Sequence, residues 1–208
     1  MRLRIKHTFV LLLAIAAISA RPSSAQGPQT APAQPPDKPL RSELAIDYSY
    51  ARSNEPPGGC TCFNLNGFSA TYAWPVKPGH FALAGDITVL HAGSVSASSE
   101  SLTLSTFTAG VRYLLPVHHS RVQPFGQVLA GLVHSSGTVV EGSNPGAANA
   151  GAAFASNIGG GLDLKANRRF AIRLIEADYL LTTVDNSSNN HQNNLRISAG
   201  VVIRFGNK

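Results

Sequence analysis

The stretch Leu195–Phe205 (LRISAGVVIRF) places apolar side chains at every second position: Leu195, Ile197, Ala199, Val201, Ile203 and Phe205. Arg196, Ser198, Gly200, Val202 and Arg204 stand between them. A period of two means a β-strand with two unlike faces. Polarity is the open question. A soluble sheet buries its apolar face, whereas a membrane barrel turns that face to lipid and its polar set to the lumen.

The alternation recurs in eight segments, approximately 42–53, 65–74, 80–91, 101–114, 123–135, 153–165, 169–182 and 194–205. Each has about the length a tilted strand needs to cross a bilayer. One face carries residues such as Leu44, Ile46, Tyr48, Phe68, Tyr72, Leu83, Ile87, Phe107, Val111, Ile158 and Leu162. The opposite face carries Asp47, Ser49, Thr71, Asp86, Thr88, Thr106, Arg112 and Asp163. Strict alternation in the seventh segment would send Glu176 and Asp178 into lipid once Arg173 faces inward. A bulge near Ile175 turns both carboxylates back to the lumen.

Connections alternate in length. WPVKPGH, LLPVHHSRV and KANRR are short, while EPPGGCTCFNLN, GTVVEGSNPGAANAGA and TVDNSSNNHQN are longer and mostly rich in Gly, Ser and Asn. Trp74, Phe81, Tyr113, Phe125, Phe170 and Phe205 fall beside the short turns or the terminus, and Tyr48, Tyr50, Phe68, Phe154 and Tyr179 fall towards the long loops. Two aromatic bands one strand apart are interfacial girdles, with Trp74, Phe81, Tyr113, Phe170 and Phe205 as the core of the lower one. The expected fold is all-β: an eight-stranded antiparallel transmembrane up-and-down β-barrel over residues 42–208.

The N-terminus sets the compartment. A basic start (MRLRIKH), a 13-residue apolar run (Thr8–Ala20) and small residues at Ser23 and Ala25 read as a signal peptide spanning 1–25. The five prolines of residues 26–41 read as an extended periplasmic leader. The formal charge of +6 therefore overstates the exported chain. Removing Arg2, Arg4, Lys6 and Arg21 from the 17 basic residues leaves 13 against 11 acidic ones, a balance that gives nucleic acid no basic patch.

With these residues in view, 42–205 resembles the small OmpA-type outer-membrane barrel proteins. GGGLDLKANRRFAIRLIEADYLLT and NNLRISAGVVIRF look like the last hairpins of that outer membrane β-barrel domain family. The resemblance implies a bacterial outer-membrane location and no assigned activity. It also implies contact with outer-membrane lipid and lipopolysaccharide, and handling by the barrel-assembly machinery through a C-terminal strand closing on Phe205. The expected role is structural or surface-interacting, with a surface ligand unnamed and the lumen plugged by polar side chains. A barrel this narrow is filled by its own side chains. The alternatives are a porin-like small-ion channel and, further off, a lipid A-modifying hydrolase.

Eight inward residues form the expected lumen charge network: Asp47, Asp86, Arg112, Asp163, Arg173, Glu176, Asp178 and Arg196. Asp163 is expected to pair with Arg173 in a lower layer, and Glu176 or Asp178 with Arg196 in an upper one. No catalytic, cofactor or metal site is expected. Cys60 and Cys62, in the first long loop, are candidates for a local disulfide in an oxidising compartment, with too few neighbouring ligands for metal. His134 and Ser136, with Glu141, have the composition of a nucleophile, base and orienting group. A strand end running into a Gly/Ser loop accounts for them more simply. His118 and His119 read as a solvated turn.

Overall fold

Inward and outward sets separated by a period of two leave a strand with neither face indifferent, so register is strongly specified. A computed structural model describes residues 41–54, 62–76, 80–94, 101–117, 120–137, 152–184 and 191–206. The signal-peptide segment 1–25 and all of the leader but Arg41 lie outside them. Eight strands follow in chain order: β1 (Ser42–Asn54), β2 (Cys62–Pro75), β3 (Phe81–Ala92), β4 (Leu102–Leu114), β5 (Val122–Ser136), β6 (Ala153–Lys165), β7 (Phe170–Thr182) and β8 (Gln192–Phe205). Each pairs antiparallel with the next, and β8 returns to β1, with Ser49 opposite Ser198, so the sheet closes. A closed sheet leaves no free edge, as a hydrocarbon surround requires.

Apolar side chains line the outside. Ile46, Phe68, Leu83, Ile87, Val128, Leu132, Ile172 and Val201 are all exposed, while Ser49, Thr71, Asp86, Arg112, Arg173 and Arg196 are buried within. Trp74, Phe81, Tyr113, Phe170 and Phe205 point outward at the end carrying the short turns, and Phe81 packs tilted against Tyr113 with ring centroids 5.0 Å apart. Towards the loop end, Tyr48 donates its hydroxyl to Asn66, Tyr50 donates to Asn64, and Tyr179 donates to Asn193. Each phenol thus reaches an amide one step nearer the loops, where the outer surface turns polar. From Phe170 to Tyr179, nine steps at about 3.3 Å and a tilt of about 40° span about 23 Å, close to the apolar band of outer-membrane barrels.

The bulge in β7 lies where alternation demanded one. Leu174 and Ile175 both face out, and against β8 the register shifts between Arg173 and Glu176. This shift keeps Arg173 below and Glu176 and Asp178 above on the same inward face.

Three features depart from the sequence reading. β2 begins at Cys62 rather than near 65, because Phe63 and Leu65 turn inward and prolong the ladder with β1. Cys62 is therefore an exposed strand residue, not a loop one. Cys60 and Glu141 lie outside the described residues, and the proposed disulfide with them. Phe125 is not part of the girdle. It is 4% exposed and points into the barrel, since β5 buries the odd-numbered positions Phe125, Gln127, Leu129 and Val133.

Candidate functional site

The lumen has three levels. At the loop end Ala51, Phe63, Leu65, Leu90, Ala92, Leu104, Val133 and Ala155 form one buried apolar cluster, with Ser53, Ser135, Thr182 and Asn194 buried beside it. Small clusters of alanines with Leu129 or Val202 fill in nearer the turn end. The charges occupy the middle, so the interior is not polar throughout, as the alternation had suggested. Leucines at loop-end inward positions look like breaks in the pattern when a strand is read alone. In the closed barrel they meet one another.

Arg173 and Arg196 organise the middle level. Arg173 donates Nε to Asp163 Oδ1 at 3.0 Å, and Nη1 to Asp47 Oδ2 at 3.0 Å and to Glu176 Oε2 at 2.6 Å. Arg196 donates Nη2 to Asp178 Oδ2 at 2.8 Å and to Glu176 Oε1 at 3.2 Å, and Nη1 to Asp86 Oδ1 at 3.0 Å. Asp86 also accepts from Thr71 and Thr88, both at 2.8 Å. Arg112 gives two hydrogen bonds to Gln127 Oε1, at 3.0 and 2.6 Å, and stands 3.9 Å from Glu176. Gln127 in turn donates to Glu176 Oε1 at 3.1 Å and Asp178 Oδ1 at 3.3 Å. All eight residues of the expected charge network lie in this one cluster. Glu176 touches three guanidiniums, so the two layers read from sequence are a single connected network. Buried charges of this kind hold only when paired and hydrogen-bonded.

Two residues outside the expected set complete the cluster. The Phe125 ring takes the Arg112 guanidinium at 4.2 Å and that of Arg173 at 4.7 Å from its centroid, a cation–π contact with each. Gln127, two positions along on the same face, bridges Arg112 to the carboxylates. Counting every second residue back from Val133 would have pointed both inward. Apolar side chains on both faces of β5 hid the choice.

Glycines opposite the charges make the room. A Cβ on Gly159 would lie 2.3 Å from Asp178 Oδ1 and 2.2 Å from the Ala177 carbonyl oxygen. One on Gly161 would lie 2.8 Å from the Phe125 ring. The Gly159–Gly161 run is thus a recess for neighbouring side chains.

His134 is half-buried and Ser136 exposed on the outward face of β5, opposite Ser105 and Thr103 of β4. No hydrogen bond joins them among the described residues. His118 and His119 are outside those residues.

No family model matches the chain, and no curated protein does. Among solved structures, the barrel is similar to Neisserial surface protein A (NspA), with 14% identity over 79% of this chain and 97% of that one, at a TM-score of 0.59. The fold is that of an eight-stranded outer-membrane barrel. Ail, the attachment invasion locus protein of Yersinia pestis, also aligns, at 18% identity over 80% of this chain and 100% of that one, with a TM-score of 0.48.

Proposed function

We propose that this chain is a bacterial outer-membrane barrel with a closed lumen, whose role is structural or lies in surface contacts made by its long loops. The observation that carries the reading is the network joining Asp47, Arg173, Glu176, Arg196 and Asp86 across the barrel, capped at the loop end by the apolar cluster around Leu65 and Leu90. Fixed ion pairs fill the space a hydrated solute would need, and an apolar level above them resists wetting. With the N-terminus periplasmic, the long connections face outward. Contact with lipopolysaccharide and delivery by the barrel-assembly machinery follow from that placement.

A narrow ion path is the second reading. Asp47 Oδ1, Asp163 Oδ2, Arg173 Nη2 and both amide atoms of Asn157 are buried with no hydrogen-bond partner among the described residues, so parts of the lumen wall are polar yet unsatisfied. Purified protein in planar bilayers separates the two. A closed barrel gives no steady current, and long-lived, single-sized openings of the wild-type protein would overturn the plug. Fractionation tests the location, since a heat-modifiable species should sit with the outer membrane. Recovery in the soluble periplasm would end the whole account.

A further inference from the structure

The turn end of the β6–β7–β8–β1 region carries a concavity of about 620 Å³, with Arg41, Arg168, Arg169 and Arg204 around it and Phe170 and Phe205 at its side. Arg204 is neutralised by Glu43, its Nε donating to Oε1 at 2.7 Å. The other three guanidiniums have no carboxylate partner among the described residues. Of the described acids, Asp47, Asp86, Asp163, Glu176 and Asp178 are buried in the lumen, and Glu43 is paired with Arg204.

The backbone that carries Arg168 and Arg169 is also held in place. Asn167 accepts from the backbone N–H groups of Arg169 and Phe170, both at 2.8 Å, which fixes the β6–β7 turn. The Arg204 N–H donates to the Arg169 carbonyl at 2.7 Å, and Arg41 Nη1 donates to the Arg168 carbonyl at 2.7 Å. That bond ties the start of β1 to the turn without cancelling the Arg41 charge. Phe170 and Phe205 belong to the outward aromatic girdle, so the concavity opens at the level where a bilayer passes from hydrocarbon to headgroup.

We infer that this is a binding site for the phosphodiester headgroup of an anionic phospholipid in the leaflet facing the short turns. Planar guanidiniums match phosphate oxygens two at a time. The flanking phenyl rings suit acyl chains leaving the headgroup, and three cations that no described carboxylate neutralises favour a lipid of net negative charge over a zwitterionic one. The inference rests on the membrane placement proposed above.

Wild-type protein, with its natural N-terminal processing, would be reconstituted into phosphatidylcholine vesicles containing phosphatidylglycerol, extracted in mild detergent and weighed by native mass spectrometry. One phosphatidylglycerol per barrel should remain, enriched over its share of the bilayer. Arg168→Gln/Arg169→Gln should lower that retention roughly tenfold or more, since each surface cation contributes about 1 kcal/mol to anionic lipid. Arg52→Gln, at the loop end, should retain as much as wild type. Equal retention of phosphatidylcholine and phosphatidylglycerol by the wild-type protein overturns the site, even if the double variant fails to fold. Displacement of the lipid by millimolar inorganic phosphate overturns the lipid assignment in favour of free phosphate. Heat-modifiable migration from the same vesicles reports insertion. Wild-type protein that never inserts contradicts the membrane reading itself, whereas inserted protein without bound lipid contradicts only this inference.

Discussion

Glu176 is the residue on which the interior turns, because its two oxygens meet Arg173 at 2.6 Å and Arg196 at 3.2 Å, with Arg112 at 3.9 Å. Removing one member of a buried ionic set leaves partners uncompensated, at a typical cost of about 3–5 kcal/mol. Glu176→Ala should therefore lose about that much in urea unfolding from bilayers; a loss below 1 kcal/mol would mean the guanidiniums are solvated independently. The Asp178–Arg196 pair offers a sharper measure. A double-mutant cycle with Asp178→Ala and Arg196→Ala should return a coupling energy of about 1 kcal/mol or more. Additivity within about 0.3–0.5 kcal/mol would show that the two do not act together. Phe125→Leu keeps an apolar side chain but removes the face that Arg112 and Arg173 stand against. It should cost about 1–3 kcal/mol, from lost cation–π attraction and altered packing. A neutral result in the same unfolding assay would reduce Phe125 to filler.

For single elements, β7 and β8 show what the period of two permits. In β7, Leu174 and Ile175 together oppose one residue of β8, Ala199, between the pairs Arg173–Gly200 and Glu176–Ser198. Deleting Leu174 removes the extra residue without turning any side chain round, so this variant should still give a heat-modifiable barrel. Deleting Ala177 instead reverses every position from Asp178 to Thr182, sending a carboxylate into lipid and Tyr179 into the lumen. That variant should fail to assemble, and comparable folded fractions for the two deletions would refute the assigned bulge. In β8, Val201→Arg puts a cation on the lipid face midway between the two aromatic bands and should cost about 2–4 kcal/mol. Ser198 faces inward, 1% exposed, with its hydroxyl 2.8 Å from that of Ser49. The lumen has no space there, so Ser198→Arg should also be severe, through overpacking rather than lipid exposure. Only the first variant should improve when a thinner bilayer brings the site nearer the interface.

Across the whole barrel, charge among the described residues is sorted by depth: five carboxylates in the lumen, arginines without a carboxylate partner at the turn end, apolar side chains around the middle. On the closed-lumen reading proposed above, the ion-pair level and the loop-end apolar cluster act as two seals. Two seals in series predict that Leu90→Ser alone, which admits water to the upper lumen, leaves planar-bilayer conductance at background. Steady current from that single change would mean the charged level does not seal. The exported chain is expected to start at Gln26, and N-terminal sequencing of membrane-extracted protein that returned Met1 would refute cleavage.

Much of this barrel is written locally. The alternation in residues such as 42–50 and 195–205, the count of eight strands, the outward Trp74, Phe81, Tyr113, Phe170 and Phe205, and the need for a bulge beside Ile175 all follow from neighbours along one strand. Side-chain facing has a period of two, and a run of a dozen residues contains it. Pairing inside the lumen does not have that property. Arg173 meets Asp47 across 126 positions and Arg196 meets Asp86 across 110, and these contacts exist only once β8 closes on β1 at a particular stagger. Closure alone brought Arg112 of β4 to Glu176 of β7, gathered Phe63, Leu65, Leu90 and Val133 into an apolar cap, and gave Phe125 a reason to face inward. The sequence determined which way each strand turns its side chains; the tertiary structure decided which of them meet, because a sheet's register around a barrel is a property of all eight strands at once.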